Sequence, residues 1–188
     1  MERNKMTMRT ILVLVMLWSL LPNAFAGMQD SIPAPAVQKI KITDLESLIA
    51  NSDHPLIVNF WATFCVPCVK EIPYFQSTVS RYTSQQVELV LVSLDLPDYY
   101  PARIATFAQG RGFTSRIVWL NETDADYFCP RVDPKWTGGI PSSLFINNKT
   151  HYRRFFDRQL TEPQVEFEIK KMLAPPVGAT APWPKANR

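Results

Sequence analysis

The sequence predicts an α/β sandwich, and three observations carry that expectation. Strand-like and helix-like segments alternate along residues 37–173, the order that builds a sheet with helices on its faces. Leu56 to Phe60 and Val87 to Leu94 are apolar enough for strands covered on both sides, as central parallel strands are. Late in the chain, Ser143–Asn147 and His151–Phe156 flank Asn147-Asn148-Lys149-Thr150 and read as an antiparallel hairpin.

Taken in order, Val37 to Ile42 alternates apolar and polar residues as a short strand. Thr43 or Asp44 can cap a helix whose Leu45, Leu48 and Ile49 share one face, ended by Asn51–Pro55 before the strand Leu56–Phe60. The next helix opens at Cys65 and carries Val69, Ile72, Phe75 and Val79 inward, with Pro73 expected to kink it. After the strand Val87–Leu94 comes a helix, Ala102–Gln109, with Ile104, Phe107 and Ala108 inward and Gly110 and Gly112 stopping it. Ile117–Leu120 reads as a strand and Asp124–Phe128 as a short helical turn. Thr161 and Gln164 form a capping box for a last helix that buries Val165, Ile169 and Met172.

The ends of the chain read differently. Arg3, Lys5 and Arg9 precede an apolar run from Ile11 to Leu21, and Ala24-Phe25-Ala26 is a small-x-small site. That is the pattern of a signal peptide over 1–26, cleaved before Gly27. As a helix the run spans about 16 Å, too short for a bilayer core of roughly 30 Å, so no stable membrane insertion is expected. A flexible leader over 27–36, one domain over 37–173 and a mobile proline-rich tail over 174–188 complete the expected organisation. Removing residues 1–26 takes away three basic residues and one acidic one, leaving 17 Lys+Arg against 16 Asp+Glu. That balance argues for no nucleic-acid partner. Three cysteines are too few for a disulfide-stapled scaffold.

The chemistry is concentrated in Trp61-Ala62-Thr63-Phe64-Cys65-Val66-Pro67-Cys68, directly after an apolar strand. A cysteine at the first turn of a helix faces outward N–H groups that stabilise a thiolate, so Cys65 reads as the reactive thiol. Cys68, one turn along, is placed to resolve a mixed disulfide. The same spacing serves half of a zinc site, so the pair alone does not decide the chemistry.

With Gly138-Gly139-Ile140-Pro141 preceding a late apolar strand, the chain resembles the thioredoxin superfamily over about residues 37–173, and the phrase Val58 to Pro73 is most similar to its exported TlpA/ResA branch. The resemblance implies a three-layer sandwich with a central mixed sheet and a helical insert around 97–112. It implies a redox-active Cys65–Cys68 disulfide and a cis Pro141 facing the pair, leaving Ile140 free to pair with an extended substrate segment. Trp61, Val66 and Pro67, with Ile140 and Pro141, are the candidate substrate contacts. Asn59 and Val66 depart from the pattern: Asn59 stands where thioredoxin proper buries an Asp, removing the usual base for Cys68, and Val66 replaces a Gly or Glu. Glu71 is a possible substitute base, although a carboxylate on a solvated helix face is the plainer expectation.

The resemblance implies an exported thiol–disulfide oxidoreductase working as a reductase of disulfide-containing exported proteins in the periplasm, for instance in cytochrome c maturation. It would use no cofactor or metal and would be recharged by a membrane-embedded electron donor. Alternatives are a disulfide oxidase or isomerase, a copper-binding chaperone of the same fold, and a peroxide-reducing relative. Cys129 reads as a buried structural cysteine, with a second resolving thiol as its alternative, because the segment leading to Pro141 belongs on the active-site side. Trp136 could line the groove or fill the core. His54 and His151 are isolated, and Arg153, Arg154 and Arg158 read as a solvated face.

Overall fold

The protein is described by a computed structural model over residues 34–175. The expected signal peptide, most of the leader and the tail beyond residue 175 lie outside the described residues. Among the described residues no helix is long and apolar enough to cross a membrane.

The elements follow in the order β1 (Val37–Ile40), α1 (Ile42–Asn51), β2 (Leu56–Trp61), α2 (Val66–Ser80), β3 (Glu88–Ser93), α3 (Ala102–Gly110), β4 (Arg116–Leu120), α4 (Ala125–Val132), β5 (Ser142–Asn147), β6 (Tyr152–Phe156) and α5 (Glu162–Leu173). The sheet order is β1-β4-β3-β2-β5-β6. The first four strands run parallel, and β5 and β6 are antiparallel additions. Helices cover both faces, as the three-layer expectation requires. On one face α2, α3 and α5 bury Ile72, Phe75, Ile104, Val165, Ile169 and Met172 against Ile57, Leu91, Ile117 and Phe145. On the other, α1 and α4 bury Leu45, Ile49, Phe128 and Val132 against Val58, Phe60, Val92 and Leu144. Every residue of β2 is buried, which explains its unbroken apolar run.

Several local expectations are corrected. The N-cap of α1 is Lys41, not Thr43 or Asp44. Asp44 sits one turn in, where its carboxylate accepts from the Lys41 N–H at 2.8 Å, and Glu122 accepts from the Ile42 N–H at 3.0 Å. The turn expected over Asp124–Phe128 continues to Val132 and takes Cys129 and Pro130 into the helix. Pro130 and Asp126, the residue whose carbonyl would have accepted the missing N–H, are both exposed. The helical insert is a 3-10 turn, Pro97–Tyr99, followed by α3.

The β5–β6 turn holds both helical layers. Asn148 Nδ2 donates to the carbonyls of Ile49, Ala50 and Ser52 at the end of α1, at 3.0, 3.2 and 2.9 Å. Asn147 Nδ2 and Thr150 Oγ1 donate to the Met172 carbonyl at the end of α5, at 2.9 and 3.1 Å. Carbonyls left without intrahelical partners at two helix ends thus share one turn. Thr161 caps α5 through the Gln164 side chain, which accepts from the Thr161 N–H at 3.0 Å, as the capping box foretold.

Candidate active site

The site lies at the carboxyl ends of the parallel strands. Strand β2 delivers the chain into a turn closed by the Cys65 N–H donating to the Ala62 carbonyl at 3.0 Å, and Cys65 becomes the cap of α2. Val66 and Pro67 occupy the first two helical positions, where a proline loses nothing because its N–H would have no helical acceptor. Cys65 and Cys68 form a disulfide with Cα atoms 5.3 Å apart. The Cys65 sulfur accepts from the Cys68 N–H at 3.4 Å, a contact with the positive end of the helix that would favour a thiolate there. Cys65 retains 8% of its surface and Cys68 none.

The Glu71 expectation is overturned. Glu71 is fully buried, not solvated. One carboxylate oxygen accepts from Asn59 Nδ2 at 2.8 Å and the other from the Leu160 N–H at 2.8 Å. Burial pushes its carboxyl up to about 7, against the opposing pull of those two hydrogen bonds. Asn59 Nδ2 also donates to Ser143 Oγ at 2.9 Å, tying β2 and β5 to the same carboxylate. Glu71 shares the helical face of Cys68, three residues along. The buried carboxylate therefore lies on the helix, while the strand position carries its partner Asn59. The spacing Cys68, Glu71, Ile72, Phe75 placed Glu71 on the buried stripe and could have revealed it.

Among the expected substrate contacts, Val66 and Pro67 are exposed beside Cys65. Phe64, which the sequence reading did not single out as a contact, is 63% exposed next to them. Ile140 is half-buried against the core cluster that contains both cysteines. The Ile140–Pro141 bond is cis. Ser142 pairs with Phe60, so Pro141 arrives beside the end of β2 from which the cysteine loop departs. Gly138 leads into this segment with φ of 90°, a conformation that side-chain-bearing residues avoid. Trp61 is corrected: its ring is fully buried between Phe107 and the edge of Phe113, with centroids 6.2 and 5.4 Å away. It lies on the same side of β2 as Ile57 and braces the sheet from within, offering no surface for a substrate to touch. The Gln159 side chain donates to the Pro67 carbonyl at 3.2 Å, so the segment before α5 steadies both the motif and, through Leu160, its carboxylate.

The remaining candidates fall away from the pair. Cys129 is buried in the core layer on the other face of the sheet from the cysteines, its sulfur beside Gly138 of the segment leading to Pro141, and burial pushes its thiol up to about 11. Trp136 is a core residue, 4.4 Å from Phe60 between ring centroids, with its indole N–H donating to the Gly139 carbonyl at 2.8 Å. His54 is held between Asp53 and Glu88, both at 2.7 Å. Arg153 donates to the Val132 carbonyl, while Arg154 and Arg158 lie over the Phe156 ring.

Known proteins fit this geometry. The model of the AhpC/TSA family matches residues 29–151. The thiol-disulfide oxidoreductase ResA of Geobacillus thermodenitrificans (strain NG80-2) is 22% identical over 179 residues, 91% of this chain and 98% of that protein. The sporulation thiol-disulfide oxidoreductase A of Bacillus subtilis (strain 168) is 31% identical over 117 residues, 60% of this chain and 71% of its own length. In fold, the chain is similar to a thioredoxin-related protein from Neisseria meningitidis serogroup B, with a TM-score of 0.55 and 23% identity over 64% of this chain and 86% of that one. A cysteine pair capping a helix on a thioredoxin-type sheet, in a chain that aligns with these oxidoreductases, belongs to the AhpC/TSA family and is a ResA-like thiol–disulfide oxidoreductase of the thioredoxin superfamily.

Proposed function

We propose that the chain is an exported reductase of protein disulfides, with Cys65 as attacking thiol, Cys68 as resolving thiol and Glu71 as proton acceptor. The observation that carries this reading is a buried carboxylate, poised near neutrality, on the same helical face as the sheltered cysteine. In the reduced protein, the Cys65 thiolate attacks one sulfur of a partner disulfide, and the other leaves as a thiolate that takes a proton from solvent. Glu71 then accepts the Cys68 proton. The Cys68 thiolate attacks the Cys65 sulfur, the mixed disulfide breaks, and the partner leaves as a dithiol carrying two electrons. The protein is left as the Cys65–Cys68 disulfide, and Glu71 returns its proton to solvent or to the departing sulfur.

Export is supported by the charged, apolar and small-residue pattern of residues 1–26, with the domain occupying 37–173. In an oxidising compartment the electrons for the next cycle come from a dithiol delivered through a membrane protein. Val66, Pro67, Ile140 and Pro141 are the proposed substrate contacts, with Phe64 added on account of its exposure. The test is limiting alkylation of the reduced protein at neutral pH, followed by equilibration with glutathione. Cys65 should be labelled first and the pair should prove more reducing than glutathione. Preferential labelling of Cys68 overturns the assignment, and a more oxidising pair overturns the direction.

A further inference from the structure

The turn that presents Cys65 is gripped by one acidic side chain outside the motif. Closing the Ala62–Cys65 turn leaves the Thr63 N–H in need of an acceptor. Asp95 supplies it, with both carboxylate oxygens accepting from that N–H at 3.0 and 3.1 Å. The Thr63 hydroxyl donates to the same carboxylate at 2.6 Å and the Ser93 hydroxyl at 2.8 Å. Asp95 is itself fixed, since its N–H donates to Ser93 Oγ at 3.1 Å and its carbonyl accepts from the Trp119 indole N–H at 2.8 Å. Pairing of Trp61 with Ser93 sets this residue just beyond the end of β3, beside the loop that leaves β2.

The charge of Asp95 is held by neutral dipoles. Each of these carboxylate partners is an amide or a hydroxyl, and the residue is 4% exposed. Nearby charges are engaged elsewhere. Glu122 lines the same pocket but accepts from the Ile42 N–H and pairs with Lys41 at 3.6 Å. Lys39 lies over the rings of Tyr100 and Trp119. A buried anion behind the turn works against a thiolate at Cys65 and leaves a disulfide there untouched, because the disulfide carries no charge. Less thiolate stabilisation means a less stable dithiol and a stronger reductant.

We propose that Asp95 is a positioning residue for the Cys65–Cys68 exchange, fixing the turn that presents Cys65 and biasing the pair toward its disulfide through a buried charge that has no counter-ion among the described residues. The proposal rests on the reading of Cys65 as the attacking thiol. Asp95→Asn keeps the shape and one acceptor oxygen while removing the charge. Thr63→Val loosens the grip while keeping the charge.

The readouts are the pH profile of Cys65 alkylation in the reduced protein and the equilibrium of the pair with glutathione. In D95N the alkylation midpoint should fall by about half to one pH unit, and the equilibrium should move about three- to tenfold toward the dithiol. T63V should slow alkylation at high pH without moving the midpoint. A folded D95N with unchanged midpoint and equilibrium overturns the proposal, and so does a T63V whose midpoint moves as far as that of D95N. Should D95N lose its fold, Asp95→Ser is read by the same two measurements and the same criteria. Failure of the underlying reading looks different: the wild-type protein itself would then neither label at Cys65 nor equilibrate with glutathione.

Discussion

Glu71 shows how much one buried side chain can do. Because burial raises its proton affinity from a reference value of 4.5 to about 7, the native protein keeps a proton that the unfolded chain releases across that interval. The group's contribution to stability is therefore present at acid pH and falls as pH rises through the window, by roughly 3 kcal/mol in total. Urea unfolding of the wild type between pH 4.5 and 7 should show this decline, and Glu71→Gln, uncharged throughout, should lose that part of the slope. The same variant should slow resolution by about 10²-fold at neutral pH, seen as accumulation of the mixed disulfide in a quenched time course. Resolution at the wild-type rate would remove Glu71 from the mechanism. Sequence placed the two cysteines and Pro141 but misjudged Glu71. Its hydrogen-bond partner Leu160 lies 89 residues away, and only tertiary packing covers that helix face. Trp61 was misread for a related reason. An aromatic residue beside a motif looks the same facing solvent or core, and its orientation follows from sharing a side of β2 with Ile57 and Asn59.

At the scale of elements, the apolar strands and the late hairpin were legible because burial on both faces or alternation along a ladder leaves a local trace. So was α5, whose capping box lies within four consecutive residues, Thr161–Gln164. The start of α1 and the length of α4 were not, since they depend on Glu122 accepting from Ile42 and on a proline tolerated at an exposed helical position. The turn between β5 and β6 illustrates a long-range contact with a measurable cost. Asn148→Ala would leave the last carbonyls of α1 to water, and stability should fall by about 1 kcal/mol by urea unfolding. The rate of disulfide exchange should be unchanged, because the turn lies at the opposite end of the sheet from the cysteine loop. A loss of exchange in a folded N148A would show that the two ends of the sheet are coupled.

For the whole molecule, redox state and folding are linked. A pair that is more reducing in the native protein than in the unfolded chain makes the oxidised protein the more stable form, with about 1.4 kcal/mol for every 30 mV between the two potentials. The oxidised protein should therefore unfold at higher urea than the reduced protein, whereas an oxidase would show the opposite order. Tertiary architecture also bears on Cys129, read from the sequence as a buried structural cysteine with a second resolving thiol as the alternative: it is buried in the core layer on the other face of the sheet from the redox pair. The unequal shelter of Cys65 and Cys68 has a kinetic consequence. With one sulfur open to visitors, the protein that gives electrons and the protein that takes them must use the same doorway, never together. Turnover then follows a ping-pong course in which each protein excludes the other, and supply and demand are matched by alternation rather than by assembly of all three.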